Sequence, residues 1–218
     1  MKLALPMLAS LMCCAVFAHA GEMPKTLLEM AGAKAVPARL SDSALIIIDA
    51  QHEYIDGALP LVGVEAAIAE TAQLLARARK SGAPVIHIVH KGSGALFNPA
   101  GHSFEIAAPL RPQAGETVIE KARVSAFAGT GLEVALQRTG RKSLIIAGFM
   151  THNCVSSTAR AARDLGYGVT IAAATTATRD LPDGKGGIIP AAALQNASLA
   201  ALADRTAVVV ATAGAIPD

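Results

Sequence analysis

Runs of consecutive apolar residues alternate along most of the chain with longer stretches in which apolar residues recur every three or four positions. Ala44-Leu-Ile-Ile-Ile48 meets no polar residue until Asp49, the pattern of a strand buried on both faces. Glu65 to Lys80 then places Ala67, Ile68, Leu74, Leu75 and Ala78 on one helical face and stops at Ser81-Gly82, a glycine stop signal. Further strands are expected at Pro84 to Val89, Thr117 to Glu120, Ser143 to Ala147, Val169 to Ala173 and Thr206 to Val210. Helices are expected at Gly131 to Arg138, Cys154 to Leu165 and Pro190 to Ala203, the last with proline in its first turn. Strands alternating with helices at this spacing imply an α/β fold of three layers, α/β/α, around a parallel sheet. Lys91 to Gly115 is rich in glycine and proline without clear periodicity, and reads as a functional loop or lid. No internal repeat or second domain is visible.

The first twenty residues have a different pattern. Lys2 is followed by an apolar run from Leu3 to Phe17 and then by Ala18-His-Ala20, the small-x-small form that signal peptidase cuts. The run is shorter than the roughly 20 residues a membrane span needs, and Pro6 interrupts it. Residues 1–20 are therefore expected to be a signal peptide cleaved before Gly21, in preference to a membrane anchor. Leu11-Met12-Cys13 lacks the small residue that lipoprotein processing needs before its cysteine. Residues 21–43 form an N-terminal arm with a short helix expected at Lys25 to Met30, and 44–218 a single domain. The expected location is secreted, in the periplasm, with no membrane partner once the signal is removed.

Composition narrows the function classes. Without Lys2 the chain carries 18 Lys and Arg against 17 acidic residues, so charge points to neither nucleic acid nor an anionic membrane. Aromatic residues make up 3% of the sequence and Trp is absent, which leaves no stacking platform for single-stranded nucleic acid. A small-molecule substrate is the expected partner. Cys13 and Cys14 would leave with the signal, so Cys154 would be the one thiol of the mature protein, in a compartment where paired cysteines are oxidised. Such a thiol is either an inert buried residue or a reactive one.

In parallel sheets ligands bind beyond the carboxyl ends of the strands. Asp49 ends the first strand, Lys121 follows the third, and Cys154 opens the helix after the fourth. A helix start and a nearby ammonium are expected to lower the thiol pKa, and a carboxylate can accept the proton and return it to a leaving amine. The turn from Thr151 to Cys154 also offers backbone N–H groups to an oxyanion. Each residue has a plainer reading as a cap, a solvated charge or a core thiol, and periodicity does not show that the three side chains meet.

Three segments carry a family resemblance. Leu45-Ile-Ile-Ile-Asp49-Ala-Gln51, Val118-Ile-Glu-Lys121 with Ser125-Ala-Phe127-Ala-Gly-Thr-Gly-Leu132, and Ile146-Ala-Gly-Phe-Met-Thr151-His-Asn-Cys154-Val-Ser-Ser-Thr-Ala-Arg resemble the isochorismatase-like cysteine hydrolases. That family includes nicotinamidases, N-carbamoylsarcosine amidase and streptothricin hydrolase. The resemblance implies a six-stranded sheet of order 3-2-1-4-5-6 and a catalytic triad of Asp49, Lys121 and Cys154. It also implies a non-proline cis peptide just before Thr151, an oxyanion hole from the N–H groups of Thr151 or its neighbours and of Cys154, and a homo-oligomer. Cys154 favours the amidase branch, because the members acting on a vinyl ether lack the cysteine.

Nicotinamidases hold a divalent metal through an Asp and His residues after the second strand. This chain has His87, His90 and His102 there but no Asp-x-His pair, and residues three apart on a strand face opposite sides. No metal and no cofactor are expected, and His90, Phe97, His102 and Phe127 are candidate pocket residues, the first, second and last for substrate binding. The leading reading is an exported hydrolase of a small amide or related C–N bond acting through a cysteine thioester. The alternatives are a metal-assisted nicotinamidase and a non-catalytic small-molecule-binding protein, the latter separable by the rate at which iodoacetamide alkylates Cys154.

Overall fold

The computed structural model describes residues 23–218; the expected signal peptide lies outside them. The arm contributes helix α1 (Leu27–Met30), closed by a reciprocal capping box between Thr26 and Glu29. It is tied to the body by the N–H groups of Leu27 and Leu28, which donate to the side chain and carbonyl of Asp204.

The body contains strands β1 (Ser43–Ile48), β2 (Val85–His90), β3 (Thr117–Lys121), β4 (Ser143–Phe149), β5 (Gly168–Ala177), β6 (Leu181–Pro182), β7 (Ile188–Ile189) and β8 (Val208–Val210). Helices α2 (Val64–Lys80), α3 (Leu132–Thr139), α4 (Ser156–Asp164) and α5 (Ala191–Ala203) connect them. Six strands form one parallel sheet in the order β3-β2-β1-β4-β5-β8. This is the expected order 3-2-1-4-5-6, with β8 as the sixth strand because an antiparallel pair, β6 and β7, intervenes. That pair occupies a stretch whose sequence shows no alternation.

The continuous apolar run of β1 has a direct structural cause. Leu45 and Ile47 pack with Leu74, Leu75 and Ala78 of α2, while Ile46 and Ile48 pack with Leu132, Leu136, Val155 and Ala159 on the other side. Every residue of the strand is buried because each face of the sheet carries a helical layer. With few aromatic residues, α4 meets the sheet through Ala159 and Ala162, so helix and sheet lie close.

Strands β4 and β5 run further than their apolar runs suggest. The register between them shifts, so that Ile146 pairs with Ile171 but Gly148 pairs with Thr176. Thr175 and Thr176 turn their hydroxyls back onto the carbonyls of Ala172 and Ala173, which satisfies polar groups within the bulge.

Gly148 adjoins this irregularity and faces β1. Its φ is +107°, and a Cβ there would lie 2.0 Å from the carbonyl oxygen of Ile48, so neither the conformation nor the space admits a side chain. Gly148→Ala is expected to cost about 3 kcal/mol or more, read as a lowered urea midpoint or as failure to accumulate folded protein. A midpoint equal to that of the parent would show that β1 and β4 can separate at their carboxyl ends.

Candidate active site

Three strands, β3, β1 and β4, bring their ends to one carboxyl edge, with β2 between the first two. Asp49 follows β1 directly, in a left-handed conformation with φ of 49° that Asp tolerates better than most residues. Its N–H still donates to Ile88 O on β2 at 2.8 Å, so the chain leaves the sheet only at the left-handed Asp49 itself. Lys121 is the last residue of β3. Cys154 lies in a π-helical turn, Thr151–Val155, that follows β4 and leads into α4. Helical geometry thus begins three residues earlier than the apolar pattern implies, and Cys154 sits inside the opening turn. Thr151 Oγ1 fixes that turn to β5 by donating to Ala177 O at 3.0 Å.

The structure brings the three side chains together. Lys121 Nζ is 2.7 Å from Asp49 Oδ2 and donates to Cys154 Sγ at 3.2 Å. The Asp49 carboxylate and the Cys154 thiol act on each other's ionisation across this cluster. The side chains of Asp49 and Lys121 are wholly buried, and Cys154 is 4% exposed. Burial raises the Asp49 pKa to about 6, with the Lys121 charge and hydrogen bond pulling the other way.

The thiol behaves contrary to the expectation drawn from its helix start. Burial, and then the facing Asp49 carboxylate, push Cys154 up to about 12, and Lys121 offsets only part of that. In the resting geometry the thiol keeps its proton, and Asp49 is the carboxylate whose charge acts on it.

The other expected site residues separate. His90 comes to the cluster: its Nδ1 is 3.0 Å from Lys121 Nζ, and burial followed by the Lys121 charge lowers its pKa to about 4, so the ring is neutral at pH 7. Phe97 meets the His90 ring edge to face at 4.8 Å, and both residues line a cavity of about 480 Å³. Glu53, itself buried, holds Phe97 in place by accepting from its N–H at 2.8 Å. Phe127 does not join them. It stacks on Tyr167, 6.2 Å away, a residue that precedes β5 at the end of the strand opposite Ala177.

The cis peptide bond is Phe149–Met150, one residue earlier than the position just before Thr151. His87, His90 and His102 do not converge. His87 is buried against Glu116, 2.9 Å away, His102 is largely exposed, and the His90 Nδ1 already faces a cation. These three residues therefore do not fit a shared metal of the nicotinamidase kind.

Four further residues meet the site without an advance signal in the sequence. Tyr54 is buried between Phe97 and Phe149, and the charges of Asp49 and Cys154 add to burial in raising its pKa. Gln51 clamps His90 through both backbone groups, with Nε2 donating to His90 O and Oε1 accepting from His90 N. His152 hydrogen-bonds Thr178; burial, and then the Arg179 charge, lower its pKa, and the same charge opposes part of the upward shift of Tyr54. Gln51 and His152 stand within the family segments, which mark their positions but not the contacts they make.

Residues 43–214 match the isochorismatase domain. The chain belongs to the isochorismatase family. Among curated relatives it is 36% identical over 177 residues to the secreted isochorismatase effector Isc1 of Verticillium dahliae, covering 80% of this chain and 90% of that protein. It is 34% identical to a streptothricin hydrolase of Streptomyces noursei, over 80% of this chain and 64% of that protein. Among solved structures, an isochorismatase from Pseudomonas putida KT2440 superposes with a TM-score of 0.85 at 44% identity, covering 88% of this chain and 99% of the other. The six-stranded sheet and its flanking helices are thus those of isochorismatase-family hydrolases.

Proposed function

We propose that this family member is an exported hydrolase that cleaves a small amide or related C–N bond through a cysteine thioester. The observation that carries the proposal is the buried contact of Lys121 Nζ with both the Asp49 carboxylate and the Cys154 sulfur. A thiol, a proton acceptor and a fixed cation are the parts acyl transfer needs. The streptothricin hydrolase relative supports the hydrolytic reading. The secreted effector relative supports export, together with the N-terminal pattern, and no helix among the described residues is long and apolar enough to cross a membrane.

Asp49 removes the thiol proton as Cys154 Sγ attacks the carbonyl carbon, so the thiolate forms only as it is used. Lys121 stabilises the charge that passes between sulfur and carboxylate. The oxyanion accepts hydrogen bonds from the backbone N–H of Cys154 and from that of Thr151 or its neighbour Met150, an arrangement that contributes about 3 to 4 kcal/mol per donor in measured cases. When the C–N bond breaks, Asp49 returns its proton to the leaving nitrogen. Water then attacks the thioester, giving its proton to Asp49, and the acid leaves as the thiol is restored.

A carboxyl poised near pH 6 suits both halves of this cycle. The test is a panel of small amides and ureides, with and without a carboxylate because Arg179 adjoins the site, assayed by ammonia or amine release between pH 5 and 8. At least one member is expected to turn over, with kcat/KM rising from the acid side with a midpoint near 6 as Asp49 ionises. Absence of release from the whole panel would favour a small-molecule-binding protein, and a rate independent of pH between 5 and 7 would remove Asp49 as the base.

A further inference from the structure

A second cluster of ligating side chains stands outside the triad. His52 Nδ1 is 2.9 Å from Asp56 Oδ1, and His102 Nε2 is 3.4 Å from Asp56 Oδ2. The two imidazole rings lie 4.0 Å apart between centroids, and one ligand atom from each of the three residues falls within 4.8 Å of the others. We propose that His52, Asp56 and His102 bind a divalent transition-metal ion, with Zn²⁺ as the reference case, and that the ion fastens the 91–115 loop to the turn that follows β1.

The donor set and its spacing carry the proposal. Two imidazoles and one carboxylate suit borderline ions such as Zn²⁺ and leave an open position for water. Bonds of about 2 Å to a tetrahedral ion place its ligand atoms about 3.3 Å apart; one atom from each of the three residues already falls within 4.8 Å of the others, so small side-chain rotations bring them to that spacing. Behind His102, Nδ1 is 3.8 Å from Glu105 Oε2, so a carboxylate stands near the nitrogen the ion would leave free, as it does behind many metal-bound histidines.

The backbone holds the ligands in register without an ion. The N–H groups of Ile55, Asp56 and Gly57 all donate to His52 O, which folds Asp56 back onto its own histidine. His52 N donates to Glu105 O at 2.9 Å, Glu105 N donates to His102 O, and Gln51 and Ile106 form an antiparallel bridge. Residues from two segments, 46 positions apart in the case of Asp56 and His102, therefore face each other before binding.

The position also has a consequence for the loop. Gln51 Nε2 donates both to Phe104 O at 2.9 Å and to His90 O at 3.0 Å, so the fastened segment is continuous with the clamp on His90. An ion at this place would stiffen the wall that carries His90 and Phe97 without touching the reacting atoms.

The experiment uses the full chain in a Cys13→Ala, Cys14→Ala, Cys154→Ala background, which removes all three thiols as competing ligands. After chelator treatment the protein is titrated with Zn²⁺ against a chromophoric chelator, and limited proteolysis within residues 91–115 is followed with and without the ion. One equivalent is expected to bind with a dissociation constant of about 10 μM or tighter, and to slow cleavage of the loop. Asp56→Asn and His102→Ala, at positions more than half exposed, are each expected to weaken binding by about 100-fold and to abolish the protection, while Glu29→Gln changes neither. Binding weaker than about 100 μM, or undiminished in either site variant, would overturn the proposal. The readout is ion binding in a protein without its thiols, so the outcome is independent of the hydrolase reading.

Discussion

Cys154→Ala is expected to give a folded protein whose turnover of any accepted amide falls by about 10⁴-fold or more. Nucleophile removal in covalent hydrolases has effects of that order because the remaining groups lose the bond they were arranged to form. The fold should tolerate the change. Cys154 contributes only a sulfur atom to the cluster formed by Ile46, Ile48, Val155 and Ala159, and its removal costs about 1 kcal/mol at a buried site. Circular dichroism and a urea midpoint close to the parent's would establish the fold, and residual turnover above one hundredth of the parent's would rule out a thioester through this residue.

The raised thiol pKa changes how reactivity toward iodoacetamide is read. A thiol that stays protonated up to about pH 12 and is 4% exposed reacts slowly with an alkylating agent in the resting protein. Slow alkylation is therefore compatible with catalysis, because the proposed base acts only when a carbonyl is in place. Turnover in Cys154→Ala and the pH profile discriminate where alkylation does not.

The sheet was legible because its strands are buried on both faces, and a run such as Ala44–Ile48 has no reading that leaves it in water. The positions of Asp49, Lys121 and Cys154 were legible for a related reason: each stands where an apolar run stops, and in a parallel sheet those stops lie on one edge. Their contact was not legible, since it depends on the left-handed turn at Asp49 and on the π turn that carries Cys154. Phe127 shows the limit from the other side. It lies in an irregular stretch after β3, where no period says which way a side chain faces, and it stacks on Tyr167 instead of lining the site. Tyr54, His152 and Arg179 come from segments without periodicity and meet only through the fold. The direction of the thiol shift was missed because a helix start and a lysine are visible in the sequence, whereas full desolvation beside a carboxylate is not.

Lys121→Met is expected to impair both stability and catalysis. The ammonium and the Asp49 carboxylate are completely buried, 2.7 Å apart, and removing one partner of such a pair costs about 3 to 5 kcal/mol when the other remains charged. The variant can escape part of that cost by leaving Asp49 protonated. With Lys121 in place burial already raises Asp49 to about 6; without the cation that opposes it, the pKa moves higher. At pH 7 the base is then largely neutral, and turnover is expected to fall by about 10³-fold. The stability effect has a definite sign. A carboxyl whose folded pKa lies above its unfolded value of about 3.9 favours folding below that value and loses the contribution as pH rises through the folded pKa. Parent and variant should therefore differ least at pH 5, where Asp49 is mostly protonated in both, and most at pH 8. Urea midpoints at the two pH values measure this directly. Adding Asp49→Asn to Lys121→Met removes the orphaned charge, so the double variant should regain stability at pH 8 while remaining inactive. Equal midpoints for parent and Lys121→Met at pH 8 would mean that the carboxylate has another counter-charge, and the role given to Lys121 in holding Asp49 ionised would fall with it.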